Sequence, residues 1–158
     1  GIDYLGNPAL LSAARKVSLI CHRDDAPQFE EQRHAVLKAA REGAVVVSAF
    51  ISPRERDIMS QLMVEQLPFV QVMDNGFSDR YRPVGRDFYS VAESRCMQLS
   101  CWNYQYEASD EDHPISREMC LVMNELVRVV SGVDDYWWKR EGDIRDRPSK
   151  DRAVEQNV

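Results

Sequence analysis

The stretch from Lys16 to Gln66 constrains the fold more tightly than any other part of the chain. It reads as strand, loop, helix, strand and helix. Val17, Leu19 and Ile20 form a short apolar run that ends in the polar loop Cys21-His22-Arg23-Asp24-Asp25. A second run, Ala44 to Phe50, is rich in β-branched valine and follows Gly43. Near-continuous apolar runs of this kind suit parallel strands covered on both faces. The ~15-residue amphipathic segment between them, roughly Gln28 to Glu42, suits a crossover helix. Its apolar face is Phe29, Val36, Leu37 and Ala40, with Gly43 as terminator. A βαβα unit brings both strand ends to one edge of a sheet, where open α/β sheets bind ligands.

The remaining elements follow from the same patterns. Ser52-Pro53-Arg54-Glu55 is a capping box with proline in the first turn, and it opens a helix whose buried stripe is Ile58, Met59, Leu62 and Met63. A third strand, Phe69–Met73, stops at Asp74-Asn75-Gly76, and a fourth is expected at Cys96–Trp102. Between them, a short helix over Arg86–Ser94 is expected to bury Phe88, Val91 and Ala92. A helix starting at Ser116 presents Met119, Val122, Met123, Leu126, Val127 and Val130 as its core face and ends near Gly132. Before the first strand, Tyr4–Leu11 reads as a turn and then a helical turn, with Asn7 as cap and Pro8 in first position. Asp134–Lys139 fits either a helical turn or a short edge strand. From Arg140 the acids and bases alternate without apolar periodicity, which predicts a frayed or disordered tail. The expected organisation is one domain over residues 1–139, with its core at about 4–132, and a polar tail over 140–158. The expected fold class is α/β in three layers: a mostly parallel sheet of four or five strands with helices on both faces.

A chain of 158 residues is long enough to bury a core without staples. Its net charge of −6 argues against indiscriminate nucleic-acid binding but leaves room for a local basic site. No apolar run reaches membrane-spanning length and the start lacks a signal-peptide pattern, which points to a cytoplasmic protein without membrane contact. Cys21, Cys96, Cys101 and Cys120 show no CxxC pair and no zinc spacing, so reduced thiols and no metal are expected. Neither a G-x-x-x-x-G-K-S/T loop nor a G-x-G-x-x-G stretch is present, and no cofactor is expected.

Individual residues carry competing readings. Cys21 and His22 at a strand end suit a nucleophile and base or a metal site, yet neighbours on a strand point to opposite faces. His34 reads as a surface residue and His113 as a loop residue, while Met59, Met63, Met119 and Met123 fall at core spacing. Trp102, Tyr104 and Tyr106 alternate past the fourth strand, a spacing that suits base stacking, packing back on the sheet or a dimer face. Trp137-Trp138 reads as a hydrophobic clamp or a subunit contact.

Taken together, YLGNPALL, KVSLICHR, VVVSAFISPRERD, CMQLSCW and ISREMCLVMNELV resemble the DNA-processing protein A (DprA/Smf) Rossmann-like domain and its SLOG superfamily relatives. The resemblance runs from about Tyr4 to Gly132 and keeps the family's order of elements. Family members read GNP-x-LL, a strand ending in GSR, SG-x-A-x-GID, a later strand in LLSE and an arginine-rich helix start. Here GSR is Cys21-His22-Arg23, and the SG-x-A-x-GID segment is Ser48 to Glu55. The arginine-asparagine pair is reduced to Arg117, followed by Glu118. The PGG-x-GT-x-x-E stretch of SLOG nucleotide hydrolases has no counterpart.

The resemblance implies a Rossmann-like fold that brings Arg23, Arg54 and Arg117 to one sheet edge. There a helix N-terminus offers unpaired N–H groups to an anion, and guanidinium forks suit phosphate. Ser48, Ser52, Glu55 and Ser116 complete the candidate ligand set. The same residues also read as plain capping, with Arg54 and Glu55 a solvated pair and Asp24, Asp25 and Asp57 offsetting the arginines. Three functions follow: a non-enzymatic module binding a nucleotide or single-stranded DNA, a sensor or homo-oligomeric scaffold without phosphate binding, or a nucleotide hydrolase. A homodimer or higher homo-oligomer is expected.

Overall fold

The computed structural model describes residues 1–83, 85–105 and 114–140. Five strands form one sheet: β1 (Asp3–Gly6), β2 (Lys16–Ser18), β3 (Val45–Ser48), β4 (Phe69–Val72) and β5 (Cys96–Ser100). Their spatial order is β1-β5-β4-β3-β2. The last four lie parallel, with Val17 opposite Val46, Val47 opposite Val70 and Val70 opposite Met97. The valine runs are therefore neighbours that point the same way, as buried two-sided strands should be.

Four helices cover the sheet: α1 (Phe29–Arg41), α2 (Pro53–Val64), α3 (Arg86–Ala92) and α4 (Arg117–Ser131). Successive side chains on a strand face opposite ways, and the core divides accordingly. Val17, Leu19, Val46, Phe69 and Cys96 pack with Val36, Leu37, Ile58 and Leu62 of α1 and α2. Val45, Val47, Val70, Val72, Met97 and Leu99 pack with Met123 and Val127 of α4, and with Leu10 and Leu11. This is the three-layer arrangement expected from the sequence.

Four local expectations are corrected. Asp3–Gly6, read as a turn, is an edge strand antiparallel to β5, with Tyr4 opposite Leu99. It pairs on one side only and is largely exposed, so it carries no apolar alternation to betray it. Gly6 ends it with φ +97°, and a Cβ there would collide with the Cys96 carbonyl. The following 3-10 helix, Pro8–Ser12, does carry the Asn7 cap and Pro8. Phe88 is 50% exposed and Ala92 exposed, because α3 is short and lies over β1 and β5 at the sheet margin, with only Ser90 fully buried. Val122 is 47% exposed. It sits about 100° around the helix from Met123, on the flank of the line that meets the sheet.

The segment after Gly132 closes the other edge. Residues 137–140 form a helical turn, and Trp137 and Trp138 are buried inside their own chain. The indole Nε1 of Trp137 donates to the Ser18 carbonyl at 2.8 Å, and the Ser18 hydroxyl donates to the Asp134 carbonyl at 3.1 Å. The clamp reading of this pair is the one the structure adopts. The tail expected beyond Arg140 falls on residues 141–158, and Tyr106 and His113 fall within 106–113, all outside the described residues. Among the described residues no helix is long and apolar enough to cross a membrane.

Candidate functional site

β2 and β3 end side by side, and the chain leaves β3 through a tight turn into α2. Phe50 in that turn is left-handed at φ +49°, which is unusual for a side-chain-bearing residue. Two polar side chains fix the turn from within. The fully buried Ser48 hydroxyl donates to the Leu19 carbonyl at 2.8 Å and accepts the Phe50 amide at 3.0 Å. The Ser52 hydroxyl accepts the Glu55 amide at 3.1 Å, completing the cap foreseen in the sequence.

Glu55 turns inward rather than pairing with Arg54. Its carboxylate, on a residue only 4% exposed, accepts the Cys21 amide at 2.9 Å, the Ile51 amide at 2.8 Å and the Ser52 amide at 3.2 Å. Two of these donors come from the start of α2, while the third comes from the loop after β2. Burial pushes the Glu55 carboxyl above its ordinary range, and the amides hold back part of that rise. A single side chain thus joins two loops at the sheet edge.

Two of the candidate arginines flank this turn, Arg54 in the first turn of α2 and Arg23 after β2. Arg54 Nη2 donates to the His22 carbonyl at 3.3 Å, while its Nη1 is buried without a partner. Arg23 is exposed at the start of a 3-10 helix, Arg23–Gln28, directly after β2. Arg117 is exposed in the first turn of α4, where the Ser116 hydroxyl caps the Met119 amide at 3.2 Å. The start of α4 reaches back toward β3, because Ile115 shares a hollow of about 200 Å³ with Phe50, Ile51, Arg56, Gln71 and Asp74. Arg56 and Gln71 were not among the sequence candidates, since only the fold brings the ends of β3 and β4 together here.

Two of the acids expected to offset the arginines are engaged elsewhere. Asp57 pairs with Arg33 at 3.0 Å, and the buried Asp25 faces Lys139 at 3.5 Å. Arg41, Arg95, Arg128 and Arg140 also pair with carboxylates. Among the described residues, no ion pair engages Arg23, Arg54 or Arg117.

Cys21 and His22 do not form a nucleophile and base. The Cys21 thiol donates to Gln32 Oε1 at 3.4 Å, and burial, aided by the Glu55 charge, pushes it up to about 12. His22 Nε2 instead meets Asp135 Oδ2 at 2.7 Å, and its ring stacks on Tyr136 with centroids 5.6 Å apart. Arg128 grips the same carboxylate through two bonds, of 2.7 and 3.0 Å. This cluster ties the loop after β2 to the segment after α4, a link across 113 positions that no local pattern announces. Trp102 donates its Nε1 to the Met73 carbonyl at 3.0 Å and packs on the α4 side of the sheet, whereas Tyr104 is 41% exposed. No group of three or more His, Cys, Asp or Glu side chains among the described residues is placed to hold a metal ion.

Neither a protein-family profile nor a curated protein matches the chain. Among solved structures it is similar to DNA processing protein A from Helicobacter pylori, described for a unique single-stranded DNA binding mode. The TM-score is 0.54 and the identity 21%, over 84% of this chain. The match spans 57% of the length of that structure. The fold of this chain is DprA-like, with a five-stranded, mostly parallel sheet between helices.

Proposed function

We propose that the chain is a non-enzymatic module that binds single-stranded nucleic acid, or a nucleotide, along the edge where its parallel strands end. One observation carries this reading: Arg23, Arg54 and Arg117, and with them Arg56 in the adjoining hollow, form no ion pair among the described residues, whereas Arg33, Arg41, Arg95, Arg128 and Arg140 do. Guanidinium groups without a carboxylate partner suit phosphate, and Arg54 keeps one buried nitrogen with no hydrogen-bond partner beside the one that donates to His22. The DprA-like fold supports it, because the Helicobacter pylori protein binds single-stranded DNA. Arg54→Ala is expected to weaken binding of a fluorescent oligothymidylate and to reduce the log–log salt slope by about one. Anisotropy titrations at several salt concentrations measure both. An intact protein without salt-sensitive binding would overturn the proposal.

A second reading has its own observation. Leu121, Val122 and Val129 on α4 are 58%, 47% and 68% exposed, and they adjoin Leu126 and Cys101 in one apolar surface. A contiguous apolar face of this kind suits contact with a second copy, in a homo-oligomeric scaffold.

A further inference from the structure

The amides at the ends of β2 and β3 would ordinarily be the strongest anion donors at this edge, because they are fixed by the backbone and backed by the α2 dipole. In this chain they already hold an anion. The Cys21, Ile51 and Ser52 amides converge on the Glu55 carboxylate at 2.9, 2.8 and 3.2 Å. That carboxylate is tethered to the helix it serves, so its effective concentration at the cradle far exceeds that of any free ligand. A phosphate dianion would have to displace it and then tolerate a displaced negative charge close by, in a setting of reduced dielectric. The crowding adds to this, since Phe50 is buried in the turn and Cys21 and His22 stand where a glycine would leave space.

We infer that Glu55 acts as a built-in anion that closes the amide cradle, so that this edge takes the phosphodiester backbone of a strand along its arginine rim and rejects terminal phosphate monoesters. The inference builds on the function proposed above and decides between its two ligand classes. A mononucleotide offers one phosphate and relies on the cradle to hold it. A strand spreads several phosphates over Arg23, Arg54 and Arg117, none of which needs the cradle.

The test follows backbone amides of the full chain by nuclear magnetic resonance, using inorganic phosphate, deoxyadenosine monophosphate and an oligothymidylate as probes. In the wild type, neither phosphate nor the mononucleotide is expected to move the Cys21, Ile51 and Ser52 amide signals, whereas the oligothymidylate binds. In Glu55→Ala, those three signals are expected to respond to inorganic phosphate, with affinity raised on the order of tenfold. Glu55→Gln keeps the shape and one acceptor oxygen, so it serves if the alanine variant unfolds, with the Cys21 amide as its reporter. Movement of the three wild-type signals with phosphate would overturn the inference, as would folded variants that gain nothing. Strand binding that persists in either case would leave the proposed function standing. Phosphate binding gained by the variants, with no strand binding by any form, would uphold the closure and overturn the function.

Discussion

At Ser52 and Glu55 two hydrogen bonds run in opposite senses across one helix turn, the Glu55 amide donating to the Ser52 hydroxyl at 3.1 Å and the Ser52 amide to the Glu55 carboxylate at 3.2 Å. Ser52→Ala removes the first and leaves the second. The expected loss is about 1 kcal/mol in urea unfolding, the usual cost of a serine N-cap. An unchanged midpoint would mean that the Glu55 half holds the helix start alone. The sequence shows this box plainly, because its two members are three positions apart. It does not show that the same carboxylate also takes the Cys21 amide, 34 positions away. Nor does it distinguish a free Ser48 hydroxyl from one with both bonds engaged inside the turn. Spacing reveals local reciprocity, while allegiance across the sheet depends on which strands become neighbours.

Among the elements, the segment after α4 depends on Asp135. Burial alone would raise the Asp135 carboxyl, but hydrogen bonds from Arg128 and His22 outweigh it and leave it below the ordinary aspartate range. A depressed carboxyl stabilises the fold above its unfolded value of about 3.9, and that contribution disappears as the pH falls through the lower folded value. Asp135→Asn should therefore cost about 1–3 kcal/mol at neutral pH. Thermal melts should show the gap between variant and wild type narrowing in acid, and a gap constant with pH would contradict this role. This element was legible only as an ambiguity between a turn and a strand, because six residues with two tryptophans suit either. β1 was not legible at all: a short, exposed edge strand paired on one side needs no pattern of its own. By contrast β2, β3 and the intervening α1 were readable because two-sided burial imposes continuous apolar runs.

For the molecule as a whole, the layered core leaves one flank of α4 apolar and uncovered by the described residues. If a second copy covers it, light scattering should report a dimer, and Val129→Glu should yield a monomer with an unchanged circular dichroism spectrum. A wild-type monomer across the accessible concentration range would rule out the scaffold reading. Helical periodicity alone placed Val122 toward the sheet, since it cannot say how wide a stripe the sheet will accept. The candidate arginines were visible as residue types. Their lack of carboxylate partners was not, because it depends on Asp57 and Asp25 being drawn to Arg33 and Lys139.

The indole of Trp137 against the Ser18 carbonyl has a practical consequence for anyone trimming this chain. Its readable periodicity fades at Gly132, which invites a cut there. Such a fragment would strip two large rings from the interior and bare a backbone acceptor on the outermost parallel strand. The cooperative unit extends past the point where its pattern fades, and the last turn belongs to the foundation rather than the trim.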